Sequence, residues 1–260
     1  MNEVNKTLFI PLYGKSKVSK QGIIIKDPDA ERIWDMEGFP VKGKSASKWL
    51  AYNMAMRASV FDDWTRNMLK QDPGALILHV GCGLDSRCNR VGHEYRLWVD
   101  CDFPDVLAIR SKYYTETDKY RMMPLDASKP EQISSLPDSN ATILILEGIC
   151  MYLTKEQINA FLRTMKEKYS VLYVLMDVYT ELGAKASKYK NPVNDVGVTT
   201  VYGIDKIGDI IEGTCLHLKT EHSFTPDHLV VELKASDRRI FRFLFTGRAY
   251  KKIYRLYELT

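Results

Sequence analysis

The residues best able to do chemistry stand where apolar runs stop. Residues 75–80 are mostly apolar and end in Gly81-Cys82-Gly83. Residues 96–99 end in Asp100, with Asp102 two positions on. Residues 120–123 lead to Asp126, 141–146 end in Glu147, and 170–176 end in Asp177. A Gly-x-Gly turn lets the backbone bend tightly and lets a ligand approach it closely. Carboxylates accept hydrogen bonds from hydroxyl and amino groups. A turn of this kind beside a row of acids suits a nucleoside.

Three nucleoside chemistries compete for Gly81-Cys82-Gly83-Leu84-Asp85-Ser86-Arg87. A phosphate-cradling loop needs a later Gly-Lys-Ser/Thr, which the chain lacks. A dinucleotide fingerprint, the mark of an NAD-dependent oxidoreductase, needs glycine or alanine at the sixth position, where Ser86 stands. S-adenosylmethionine (SAM) has no pyrophosphate and needs no third glycine. Asp100 and Asp102 follow Gly81 by 19 and 21 residues, where an acid can accept both ribose hydroxyls. Asp126 could then accept from the adenine amino group, and Glu147 would border the methyl-donor pocket.

The elements that position these residues read as an α/β fold. Short apolar strands alternating with helices argue for a parallel sheet buried on both faces, with ligands beyond the carboxyl ends of its strands. Thr154 and Gln157 form a capping-box pattern that opens a helix over 154–169. Trp49, Tyr52, Met56, Val60 and Trp64 recur at helical spacing within 46–69. The 260 residues suit one large α/β domain, with or without a lid. A composition of 45% apolar and 27% charged residues excludes collagen-like, disordered and disulfide-scaffold classes. No apolar run reaches the ~18 residues of a membrane span. The net charge of +4 is dispersed, apart from pairs such as Arg238-Arg239 and Lys251-Lys252, and makes no case for nucleic acid or a membrane partner. Five cysteines at 82, 88, 101, 150 and 215 form no CxxC pair and no zinc-ligand spacing, so no metal is expected. With no signal-peptide pattern after Met1, a cytoplasmic setting is expected.

The glycine turn also carries a family likeness. With it go Leu12-Tyr13-Gly14-Lys15, Asp27-Pro28-Asp29-Ala30, Arg57-Ala58, Phe61-Asp62-Asp63-Trp64, Trp98-Val99-Asp100-Cys101-Asp102-Phe103-Pro104-Asp105-Val106 and Glu147-Gly148-Ile149-Cys150-Met151-Tyr152-Leu153. In this order they resemble the leucine carboxyl methyltransferase family of class I SAM-dependent methyltransferases. The chain is most similar to the bacterial branch named after tetracenomycin polyketide O-methyltransferases. The likeness covers most of residues 8–180 and weakens after about 185. It implies a Rossmann-like, seven-stranded, mostly parallel sheet with helices on both faces and an N-terminal helical cap. It implies residues 1–72 as the cap and 73–260 as the methyltransferase domain, with an acceptor-site insertion around 179–212. Arg57 would pair with the SAM carboxylate, and Gly81, Cys82 and Gly83 would pass under its methionine part. Asp102, with Asp100 beside it, would hold the ribose. Asp126 and Ala127 would frame the adenine, and Glu147 would close the pocket near the amino group. Tyr152 would either face the acceptor or sit in the core.

The expected activity is methyl transfer from SAM, leaving S-adenosylhomocysteine (SAH), to a hydroxyl or carboxyl oxygen of a polyketide-like or carboxylate small molecule. The alternatives are methylation of a protein C-terminal carboxylate and a non-catalytic SAM-binding module. A carboxylate acceptor is ionised at neutral pH and needs no general base, whereas a phenol or enol is helped by one. Tyr152, Asp177, His217, His222 and His228 are the candidates, and the residue pattern does not choose among them. Residues 215–224 and 240–246 are expected to form the last two strands, and the tail 251–259 reads as helix or strand.

Overall fold

The computed structural model describes residues 3–38, 43–92, 94–190 and 200–260. Three helices come first: α1 (Glu3–Ser19), α2 (Pro28–Glu37) and α3 (Lys48–Gln71). There follow β1 (Leu76–Val80), the single turn α4 (Arg87–Arg90), β2 (Leu97–Asp102), α5 (Pro104–Arg110), β3 (Tyr120–Pro124) and β4 (Ala141–Leu146). After a short 3-10 turn at Cys150–Tyr152 come α6 (Lys155–Lys168), β5 (Val171–Tyr179) and α7 (Glu181–Lys190). The described chain ends with α8 (Gly208–Ile211), β6 (Leu218–His222), α9 (Asp227–Val230), α10 (Ala235–Phe245), α11 (Gly247–Lys251) and β7 (Tyr254–Leu259).

The seven strands form one sheet in the order β3-β2-β1-β4-β5-β7-β6. Strands β1 to β5 pair in parallel, and β7 runs antiparallel between β5 and β6. The apolar runs of β1, β2 and β4 are continuous because both faces are covered. Leu78, Val99 and Leu144 pack in a core with Phe161, Leu162 and Met165 of α6. Ile77, Trp98 and Ile143 pack in a second core with Phe61, Trp64 and Met68 of α3. Full burial of each such side chain contributes roughly 1.5–3 kcal/mol. A third cluster joins Val18 and the α3 residues Tyr52, Ala55 and Met56 to Leu229 of α9, Leu233 of the link that follows it and Phe241 of α10.

Local chemistry sets the helix ends. The Asp27-Pro28 step opens α2: Asp27 accepts from the Ala30 amide at 2.9 Å, and Pro28 occupies the first turn, where its missing N–H is not needed. Thr154 and Gln157 make the expected reciprocal pair, with Gln157 accepting from the Thr154 amide at 2.9 Å.

One expected element is wrong. Residues 240–246, read as a strand, lie mostly in α10, and the last strand of the sheet is β7, in the tail. Apolar residues at 240, 241, 243, 244 and 245 do not alternate, and Asp237 and Phe241, four apart, form the buried face of the helix. The other expected strand, 215–224, holds β6. Within the segment 179–212, α7 and α8 are described, whereas 191–199, with Pro192 and Gly197, lies outside the described residues.

Candidate active site

Strand register places the predicted residues along one rim. Val80 pairs with Cys101 on one side and Leu146 on the other. The next residues out on three adjacent strands are therefore Gly81, Asp102 and Glu147. This is also where the strand order reverses about β1, the usual crevice position in an open α/β sheet. A cavity of about 630 Å³ opens there, lined by Arg57, Gly81, Cys82, Gly83, Asp102, Asp126, Ala127, Glu147 and Tyr152. Every predicted cofactor residue except Asp100 lines it.

The glycine turn is held by β2. Gly81 and Cys82 donate their amides to the Cys101 carbonyl at 2.8 and 3.2 Å, and the Gly83 amide donates to Asp102 Oδ2 at 2.8 Å. Gly81 has φ +71°, and a Cβ there would lie 2.0 Å from Ile149 Cγ2. No other residue type fits that position without a shift. Asp102 Oδ1 accepts from the Phe103 amide at 2.8 Å. Each carboxylate oxygen thus keeps a lone pair free for a ligand hydroxyl. Burial raises the Asp102 carboxyl above its usual range, against the pull of these two amides.

Asp100 must be removed from the expected ribose site. It is fully buried and does not line the cavity. Trp98 Nε1 donates to it at 2.8 Å, the Tyr120 hydroxyl at 2.7 Å and Arg110 as well, and His79 Nδ1 stands 3.2 Å away. Asp100 and Asp102 share one face of β2, but Asp100 lies one pleat deeper, between Trp98 and the Arg110 side chain that also bonds the Gly83 and Asp85 carbonyls. Burial raises its carboxyl, yet Arg110 and His79 outweigh that and hold it below the usual range.

A buried ionic network adjoins the cavity and contributes Arg57, Glu147, Asp85 and Lys15 to its lining. Arg57 donates through Nε to Glu147 at 2.9 Å and through Nη1 to Asp177 at 3.2 Å and the Tyr254 hydroxyl at 2.8 Å. Arg87 bonds the other Glu147 oxygen and Asp62. Arg90 reaches Asp27, Asp62 and Asp85, and Asp85 also binds Lys15. Among these groups five carboxylates face four cations. Burial pushes the Glu147 carboxyl up, but Arg87 and then Arg57 outweigh it and hold it at about 2. Burial also opposes charge on Arg57, and Tyr254, Glu147 and Asp177 more than restore it. Burial raises Asp177 despite Arg57.

Asp126 lines the cavity while its Oδ1 accepts from the amide and hydroxyl of Ser128 at 2.9 and 2.6 Å. Ala127 stands beside it with Phe103, Val106 and Leu125, an apolar slab suited to the face of a base. Tyr152 lines the cavity with 37% of its surface exposed. Desolvation raises its hydroxyl above the usual tyrosine range, and Tyr179 adds to the shift. Of the other candidate bases, Asp177 is held by Arg57, Tyr254 and the Gly148 amide. His222 binds Glu258 at 2.7 Å, and His217 and His228 are exposed. None of the three histidines lines the cavity.

Several lining residues had no role in the residue pattern: Lys15, Asn53, Asp85, Tyr250 and Tyr254. Lys15 and Asp85 stand inside stretches that carry the family likeness. Tyr250 and Tyr254 come from the C-terminal part, where the likeness fades.

Sheet order, the rim of acids and the glycine turn together define a class I SAM-dependent methyltransferase fold. The chain matches the leucine carboxyl methyltransferase family over residues 13–166, and it belongs to that family. Over 152 residues it is 30% identical to the tetracenomycin polyketide synthesis O-methyltransferase TcmP of Streptomyces glaucescens, covering 58% of this chain and 56% of that one. Over 129 residues it is 31% identical to the S-adenosyl-L-methionine-dependent methyltransferase dpfgK of Gibberella zeae, covering 46% and 43%. The aligned stretches span about half the length of these curated relatives. Among solved structures, magnesium protoporphyrin IX methyltransferase of Synechocystis PCC 6803, with bound SAH, superposes with a TM-score of 0.51 at 13% identity, over 88% of this chain and 92% of that one. A S-adenosylmethionine-dependent methyltransferase of Mesorhizobium loti gives 0.51 at 11% identity, over 76% and 97%. At these identities the likeness concerns the fold.

Proposed function

We propose that the protein is a SAM-dependent O-methyltransferase acting on a hydroxyl or carboxyl oxygen of a small, largely apolar molecule. The observation that carries this reading is a single cavity joining Gly81, Gly83, Arg57, Asp102, Ala127 and Glu147 to an aromatic extension. The residues present fit SAM chemically. Asp102 offers free lone pairs for the ribose, Asp126 and Ala127 offer an edge and a face for adenine, and Arg57, with Nε and Nη1 engaged, offers its Nη2 for the carboxylate. Glu147 would stand at the amino group. The surplus carboxylate of the network suits a ligand whose net charge is positive at neutral pH.

Bound there, SAM supplies an electrophilic methyl on a sulfonium. The chain's own task is alignment and exclusion of water, which oriented side chains and apolar walls provide. Met54, Met151, Phe245 and Ile253 line the same cavity. The hydroxyls of Tyr152, Tyr250 and Tyr254 are all raised above the usual range, first by burial, so each keeps its proton at neutral pH. Tyr250 and Tyr254 donate to Asn53 and Asp177, so the Tyr152 hydroxyl is the one of the three that can donate to an acceptor oxygen. An acceptor that arrives ionised, such as a carboxylate, is served without proton removal.

Residues 1–72 act in this reading as a cap, since Leu8, Leu12, Lys15 and Arg57 all reach the cavity. The name of the Streptomyces relative points to polyketide-like aromatics as the first acceptors to test. Among the described residues no helix is long and apolar enough to cross a membrane. The test pairs titration with turnover. SAM and SAH should bind at micromolar level while NAD does not, and labelled methyl should pass to members of phenolic, polyketide and carboxylate panels. Binding without any transfer would leave a SAM-binding module, and absence of SAM and SAH binding would overturn the reading.

A further inference from the structure

The acceptor end of the cavity contains one polar pair that the donor site does not use. Asn53 lies on α3 four residues before Arg57, so the two share a helix face. Both Asn53 and Tyr250 line the cavity. The same lining includes Leu50, Met54, Tyr179, Phe245 and Ile253. The Tyr250 hydroxyl, carried by α11, donates to Asn53 Oδ1 at 3.0 Å. Asn53 is only 8% exposed, and its Nδ2 has no hydrogen-bond partner among the described residues.

A buried amide donor left unpaired destabilises the protein that carries it. Asn53 contributes to the cavity wall while Nδ2 itself is covered, so a modest turn of the side chain would bring Nδ2 to a ligand oxygen as its missing partner. Tyr250 sets the direction of the pair. By giving its proton to Oδ1, it leaves Nδ2, a pure donor, as the unsatisfied atom. The nearest cation along the helix, Arg57, is already engaged by Glu147, Asp177 and Tyr254.

We propose that Asn53, oriented by Tyr250, recognises the methyl acceptor by donating from Nδ2 to an oxygen adjacent to the one that is methylated. That oxygen is the unreacting oxygen of a carboxylate, or a carbonyl beside a reacting hydroxyl, on an otherwise apolar aromatic molecule. This rests on the methyltransferase reading above and adds to it a residue that discriminates among acceptors. A site built to hydrogen-bond an oxygen rejects analogues lacking it, because its polar group is then left unpaired.

The test uses the full chain saturated with SAH and two aromatic probes of similar shape, 2-naphthoate and 2-isopropenylnaphthalene, titrated by calorimetry. The wild type should prefer 2-naphthoate. Asn53→Leu should lose at least tenfold in 2-naphthoate affinity, with 2-isopropenylnaphthalene and SAH each changed less than twofold. Thermal unfolding supplies a second arm that needs no acceptor. In the double variant Asn53→Leu/Tyr250→Phe both polar partners become apolar groups of similar shape, so its Tm should equal or exceed that of the wild type. A lowered Tm in that variant would mean a structural pair and would overturn the proposal. So would equal losses for both probes, unchanged 2-naphthoate affinity in Asn53→Leu, or no preference for 2-naphthoate in the wild type, absence of binding included. Loss of SAH binding in the wild type itself would instead overturn the methyltransferase reading.

Discussion

Replacing Glu147 by glutamine removes one charge from the centre of the ionic network and leaves its shape. Glu147 bridges Arg57 and Arg87 and has only 9% of its side chain exposed. The fall of its carboxyl from 4.5 to about 2 is the net of burial, which raises it, and the two arginines, which lower it further. That displacement corresponds to about 3 kcal/mol of folding stability at neutral pH. Because the folded-state value is depressed, the contribution is complete above 4.5 and is lost as pH falls through about 2. By pH 3 more than half of it should be gone. For a chain of this size ~1 kcal/mol moves the Tm by about 2–4 °C. Glu147→Gln should therefore unfold about 6–12 °C below the wild type at pH 7, with the gap narrowing by half or more at pH 3. Scanning calorimetry of both proteins at the two pH values measures this. An equal gap at pH 7 and pH 3, or none at pH 7, would refute the assignment of Glu147 as the ionised bridge.

Arg57→Ala and Asp102→Ala should each weaken SAM binding by tenfold or more (~1.4 kcal/mol), read by calorimetry on protein shown to be folded; unchanged affinity in both variants would remove the proposed carboxylate and ribose contacts. Asp100→Asn should behave oppositely. It leaves buried Arg110 without its carboxylate partner, so stability should drop by about 3–5 kcal/mol in denaturant titration while the SAM affinity of the folded protein stays within twofold. A tenfold loss of affinity with unchanged stability would return Asp100 to the ribose site.

The rim of the site was legible because buried parallel strands are continuous apolar runs, and the first polar residue marks where each one ends. Glu147 was marked in that way, Gly81 by its Gly-x-Gly turn, and Asp102 only as the second acid beyond its run. Asp100 was misassigned for a physical reason: residues two apart on a strand share a face, and only the packing of Trp98 and Arg110 shows which of the two is covered. The ionic network was not legible, since its pairs join residues far apart in the chain, such as Lys15 with Asp85 and Arg57 with Glu147. No local spacing encodes such contacts. Residues 240–246 were misread because a dense aromatic run satisfies strand propensity, whereas the single buried turn through Asp237 and Phe241 decides for helix. Asn53 lay hidden within the apolar stripe of α3, where one amide carries no periodic signal.

Where SAH sits on the protein decides whether this rim is the donor site. In a crystal of the complex, SAH should lie at the switch point, with its ribose at Asp102, its adenine beside Asp126 and Ala127, and its amino-acid end between Arg57 and Glu147. SAH seated elsewhere, or no SAH found at saturating concentration, would contradict that placement.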